Sequence, residues 1–353
     1  MNIFVRAWRS FLYRTRHIRV KIRVCGLCGR TNKKALLVGV PDHSNIGDMA
    51  ITVAEKVFLK NCRISFASLT TNECEDNISM LKKAVRHDTV ICFHGGGNLG
   101  NLYEYEERIR RMLLTEFSEN PSVIFPQTLH FTSDGKGEAD MKTASAVYGA
   151  HKNLTIALRD DTSLEIAKEL FGSVNLIYSP DIVMGMDKET FGVKKAERSG
   201  ALLCFRHDFE KALSDSDKEV ITSCLTRSEI SFGHTDMMAE NDHVSQGAQR
   251  GLVSKKMREL SGAKLVITDR LHGMVFSAIT ETPCIAFGNF NHKVEQSYKV
   301  LKHLDYIKFV NSAEEATELV DKMYGICGHY DRSPIIPQYD GLKNILLEYT
   351  RKQ

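Results

Sequence analysis

No stretch of this 353-residue chain approaches the ~18 consecutive apolar residues that a membrane-spanning helix needs, and its N-terminus lacks the apolar core of a secretory signal. Both absences point to a cytoplasmic protein. Disorder-promoting composition is missing as well: with 42% hydrophobic and 26% charged residues and only seven prolines, the chain reads as globular throughout. There is no GK[ST] of a Walker A loop. The nine cysteines are scattered, and several sit in apolar runs that read as reduced core thiols. Cys25 and Cys28 form the one close pair, without the second pair of ligands that structural zinc requires, so no metal centre is expected.

Acidic residues are absent from positions 1–34, which carry ten of the 47 Lys and Arg; the remaining 37 bases face 44 acids, a net charge near −7. This basic leader interleaves Phe4, Trp8, Phe11 and Leu12 with arginines at helical spacing. It reads equally as a peripheral anchor on the inner face of the membrane or as a solvated basic helix. No RNA-binding motif accompanies the charge, so a nucleic-acid partner is not expected.

From residue 35 the chain alternates short aliphatic runs with amphipathic stretches, the pattern of parallel sheets covered by helices. ALLVGV (35–40), RISFASL (63–69), TVICFHGGG (89–97), SVIFPQT (122–128) and LTIALRD (154–160) outline an N-terminal Rossmann-like domain over 35–186. A polar stretch at 187–198 reads as a linker. ALLCFR (201–206), EISFGHT (229–235), KLVITDR (264–270) and PCIAFG (283–288) outline a second domain over 199–353, whose last helix is able to pack back on the first. The expected fold class is α/β, two Rossmann-like domains facing a cleft, with ligands beyond the carboxyl ends of the strands.

Polar residues gather at those strand ends. The turn PDHSNIGD places Asn45, Gly47 and Asp48 at a helix start, where backbone N–H groups attract anions. HGGGN offers Gly95, Gly96, Gly97 and Asn98, three consecutive glycines that let a backbone approach a ligand. Gln127 and Arg159 end the next two strands. In the second half Arg206 closes one apolar run, and Arg270, Leu271 and His272 follow another within TDRLHG; Lys293 lies just past a further strand end. Arginine suits bidentate recognition of carboxylate or phosphate, and histidine exchanges protons near neutral pH. Together they predict an enzyme acting on a small carboxylated or phosphorylated anion.

SNIGDMAI, HGGGNLG, FPQT, RDDTS, SPDIV and, above all, TDRLHG followed by AFGNFNHKV resemble the polysaccharide pyruvyltransferase family in order and spacing over about residues 36–310. The resemblance implies a GT-B-like pair of domains. It also implies transfer of pyruvate from phosphoenolpyruvate onto two hydroxyls of a saccharide, often lipid-linked, in capsular or exopolysaccharide synthesis. Phosphoenolpyruvate is then a substrate and no cofactor is implied, although a divalent cation on the phosphate is compatible. By the same resemblance Arg206, Arg270, Leu271, His272 and Lys293 bind phosphoenolpyruvate, while His272, Asp48 and Arg270 carry the catalysis. Asn45, Gly47, Gly95, Gly96, Gly97, Asn98, Gln127 and Arg159 line the cleft or meet the acceptor. Which of His272 and Asp48 is acid and which base stays open. A GT-B glycosyltransferase using a nucleotide-sugar donor is the alternative, since fold alone does not fix chemistry.

Overall fold

A computed structural model describes residues 3–29, 33–194, 196–206, 213–288 and 292–351, with side chains from Thr15 onward. The side chains of Phe4, Trp8, Phe11 and Leu12, and residues 289–291 of the AFGNFNHKV segment, lie outside the described residues. The chain divides into two compact units. Residues Met1–Pro41, Glu55–Ser179 and Asp340–Gln353 make the first, and Asp42–Ala54 with Pro180–Tyr339 make the second. The opening turns of the helix after the first strand therefore belong to the second unit, and the last helix, Asp340–Tyr349, to the first.

The first unit carries a seven-stranded sheet: β1 (Lys34–Val40), β2 (Ser65–Thr70), β3 (Val90–Phe93), β4 (Gly96–Gly100), β5 (Ser122–His130), β6 (Leu154–Leu158) and β7 (Asn175–Tyr178). Their order is β2-β1-β3-β5-β6-β7, with β4 on β5, and every pairing is parallel. Parallel strands are covered on both faces, which explains why the central ones are continuous apolar runs rather than alternating ones. Ala35, Leu36 and Leu37 of β1 are all fully buried. The second unit holds β8 (Ser199–Cys204), β9 (Phe232–Thr235), β10 (Ala263–Thr268), β11 (Cys284–Phe287) and β12 (Ile307–Val310) in the order β12-β11-β10-β8-β9, again parallel.

Each sheet has one place where successive crossovers leave in opposite directions: between β1 and β3 in the first, between β8 and β10 in the second. Such switch points open a crevice at the carboxyl ends of the strands, the usual ligand site of doubly wound sheets. Arg206 follows β8 and Asp269 with Arg270 follow β10, so the second switch point is the cationic one.

Three strands go beyond the apolar runs seen in the sequence. The glycine-rich stretch after β3 is mostly strand β4, and β7 and β12 are short strands with no clear apolar period. A buried ion pair braces the first unit. Arg110 donates to Glu107 at 2.5 Å, Tyr148 Oη donates to the other carboxylate oxygen at 2.7 Å, and both charged side chains are almost wholly enclosed. Deleting one member of such a pair strands the other charge in a dry interior. Arg110→Ala is therefore expected to cost about 3–5 kcal/mol in urea unfolding, and a loss below about 1 kcal/mol would show that the pair is hydrated.

Candidate active site

The TDRLHG turn is held from within. Thr268 Oγ1 donates to the Cys204 carbonyl at 2.7 Å and accepts from the Arg270 backbone N–H at 3.0 Å, tying the end of β10 to that of β8. A Cβ at Gly273 would run into the Thr268 side chain, so this position has room only for glycine. The helix Leu271–Ile279 starts immediately after Arg270, which places His272 in its first turn.

Arg270 does not extend into solvent. Its Nε and Nη2 donate to the Asp236 carboxylate at 2.8 and 2.9 Å, a bidentate fork that fixes the guanidinium plane. Asp236 stands just past β9, at a strand end like the others, and counting every strand end would have singled it out. Asp269 lies between the two arginines. Its Oδ1 accepts from the Arg206 backbone N–H at 2.9 Å, and Oδ2 is buried without a hydrogen bond. Burial raises its carboxyl to about 6, against the opposing pull of that N–H and of the Arg206 and Arg270 charges.

His272 is enclosed on three sides. Its Nε2 lies 3.5 Å from Oδ2 of the buried Asp181, its ring meets Phe276 edge-on, and Nδ1 lies over Gly47. Asp181 is itself fixed: its Oδ1 accepts from Val183 N at 3.0 Å and its carbonyl from Tyr339 Oη at 2.7 Å. It belongs to SPDIV, one of the segments that carry the resemblance, but was not picked out as a site residue. It caps the short turn Ile182–Gly185 and faces His272, whose Nε2 is buried without a hydrogen bond.

Gly47 belongs to the helix Ile46–Asn61, whose first turns fall in this same unit. Asn45 caps it, its Oδ1 accepting from Gly47 N at 2.9 Å, and Ile46 N donates to Met237 O at 2.9 Å. With the capping done by Asn45, Asp48 is left partly exposed in the first turn, 3.6 Å from His43 Nε2. Lys293 opens the helix Lys293–Leu301 and is buried to 9% exposure; Arg206 is buried to 8%. Asn45, Gly47, Asp48, Arg206, Arg270, Leu271, His272 and Lys293 thus all belong to the second unit.

The other residues expected at the site belong to the first unit, where they build a scaffold. Gln127 is fully buried; its amide nitrogen donates to the His94 carbonyl and to Asn98 Oδ1, both at 2.8 Å, and its oxygen accepts from Asn98 N at 3.1 Å. Gly95 donates to Glu55 Oε1 at 2.7 Å, and a Cβ there would stand 2.8 Å from the Pro126 carbonyl. Gly96 has a positive φ of 121°, while Gly97 is half-buried. Close strand packing therefore accounts for at least Gly95. Arg159 is buried, its Nε donating to Thr128 Oγ1 at 2.9 Å, while Asp160 caps the following helix. The sequence reading overlooked Glu55 and His94, a fully enclosed pair at 2.8 Å; the spacing of 39 residues gave no local signal.

The chain matches the family model for polysaccharide pyruvyl transferases over residues 3–292. The chain belongs to that family. It is 34% identical over 299 residues to General stress protein 30 of Bacillus subtilis, covering 82% of this chain and 85% of the relative. It is 29% identical over 273 residues to Pyruvyl transferase 1 of Schizosaccharomyces pombe, covering 73% and 66%. Among solved structures, a functionally uncharacterized protein from Klebsiella pneumoniae superposes with a TM-score of 0.58 at 14% identity, over 88% of this chain and all of that one. The expected GT-B-like α/β fold with parallel sheets is the fold found.

Two measurements test this geometry without reference to any reaction. Alanine in place of a helical glycine ordinarily stabilises by about 0.5–1 kcal/mol, but Gly47→Ala forces a methyl into the His272 ring and is expected to destabilise by about 1–3 kcal/mol in urea unfolding. A gain in stability would mean that the ring is free to move away. The Asp269 value of about 6 lies above the ordinary 3.8, so the folded chain holds this proton more tightly than the unfolded one. Its stabilising contribution is present below pH 3.8 and is lost as pH rises through about 6. Asp269→Asn keeps the acceptor for Arg206 N and should gain on the wild type across that interval, by on the order of 2–3 kcal/mol; a difference independent of pH would contradict the assignment.

Proposed function

We propose that the chain transfers pyruvate from phosphoenolpyruvate onto two hydroxyls of a saccharide, forming a cyclic ketal, in the synthesis of a surface polysaccharide. The observation that carries this reading is the pair of buried arginines at the β8/β10 switch point, one turn from a histidine with its own carboxylate. Phosphoenolpyruvate presents a carboxylate and a phosphate, and Arg206, Arg270 and Lys293 are the cations that would receive them. Asp236 pre-sets the Arg270 fork, so less side-chain freedom is lost on binding.

The balance of the reaction is simple. The methylene carbon gains a proton, the two sugar oxygens bond to the adjoining carbon as their protons leave, and phosphate departs with the bridging oxygen. One hydroxyl proton balances the new methyl group and the other accompanies phosphate. Asp181 faces Nε2 of His272, which leaves Nδ1, toward the first turn of α2 (Ile46–Asn61), as the nitrogen that exchanges protons. In this reading His272 is the acid or meets the departing phosphate, and Asp48 is the base toward a hydroxyl. The acceptor is a saccharide on a lipid carrier.

The test is incubation with phosphoenolpyruvate and a panel of lipid-linked and synthetic glycosides, following phosphate release and the mass of the acceptor. A pyruvate ketal adduct is expected. His272→Ala and Asp48→Ala should each lower turnover by about 10²- to 10⁴-fold. Near-normal turnover in both variants would remove those roles, and glycosyl transfer from a nucleotide sugar without any ketal would replace the reading altogether.

A further inference from the structure

Among its described side chains, from Thr15 onward, the helix α1 (Ile3–Cys28) is anchored to the first unit by one face. Val20, Val24 and Leu27 are buried in the core of that unit, and Arg23 donates to the Ser68 carbonyl at 2.8 Å and pairs with Glu73 at 2.5 Å. The opposite face carries Ile18 and Ile22, 56% and 67% exposed, the two most exposed large apolar side chains among the described residues. They are one helical turn apart, and the exposed Cys25 continues the row. In the sequence the same alternation of three and four residues runs back through Thr15, Phe11, Trp8 and Phe4. That spacing places all seven residues along one stripe of a helix.

The exposed Arg19 and Lys21 flank this stripe, and no acid occurs before residue 42. Two occupants of an apolar stripe have to be weighed: a second copy of the helix, or a lipid surface. A second copy would set basic flanks against basic flanks, the reverse of the opposite-charge pairing that favours helix dimers. An anionic bilayer meets both requirements, taking apolar side chains below its headgroups and bases among them. No helix among the described residues is long and apolar enough to cross a membrane, so the arrangement is one of lying on the surface.

We propose that α1 is a membrane-docking helix, seated on its domain by Val20, Val24 and Leu27 and presenting the Ile18–Ile22–Cys25 face to an anionic bilayer. This proposal is independent of the reaction. Its test is co-sedimentation of the full chain with phosphatidylcholine vesicles, with and without phosphatidylglycerol, beside sedimentation velocity of the protein alone. Binding is expected only with phosphatidylglycerol, and it should weaken with added salt. Arg19→Gln and Lys21→Gln should each weaken it about fivefold, and Ile18→Ser with Ile22→Ser by about tenfold or more. All four positions are exposed, so the thermal transition should be unchanged, and it is measured on every variant. Equal binding to both vesicle types, binding indifferent to these changes, or a dimer in solution that the isoleucine changes dissolve would each overturn the proposal.

Discussion

The contact between the His272 ring and the backbone at Gly47 is the constraint on which the rest of the site depends. It joins two segments more than 220 residues apart in the sequence, the start of α2 and the turn after β10. Because the ring occupies the space of a side chain, position 47 admits only glycine, and Asn45 has to cap the helix from outside it. Asp181 then closes the remaining side of the imidazole. The histidine ring is thus held by packing against Gly47 on one edge and faces the buried Asp181 carboxylate on the other.

The same economy of space shapes the first unit. The triple glycine that reads as a ligand loop is largely a strand laid against β5, with Gln127, Asn98 and Arg110 bonded along it. These polar side chains satisfy one another inside a low-dielectric interior, where an unmet partner is costly and a complete network is rigid. Rigid polar scaffolding beneath a switch point and ligand-binding polarity at it have the same composition, so composition alone does not separate them.

That overlap decides how much was legible. The strands announced themselves because a doubly covered parallel sheet demands continuous aliphatic runs, and ALLVGV, SVIFPQT and KLVITDR leave little choice. TDRLHG was legible because charged residues directly after such a run are aimed at the crevice by the strand itself. Asp236 was marked only by its place one residue past a strand, and Asp181 not at all, since it lies 91 positions from His272 and nothing in its own neighbourhood records the pairing. Gln127 and Asn98 were visible as polar strand-end residues, but whether their hydrogen bonds went to a ligand or to each other is a fact about folding, not spacing.

The last helix has a consequence of a different kind. Leu342 and Leu346 are fully buried, and Tyr349 Oη lies 3.0 Å from Thr155 Oγ1 on β6, so the first unit is complete only when this helix is in place. Synthesis runs from the N-terminal side, so the unit whose strands are made first is completed only after the second unit has been made. Its sheet must wait with the β6–β7 edge lacking this helix. A protein arranged in this way ties the soundness of its first unit to the arrival of Asp340–Tyr349, and a nascent chain that stalls before this helix holds an unfinished sheet edge rather than a finished domain.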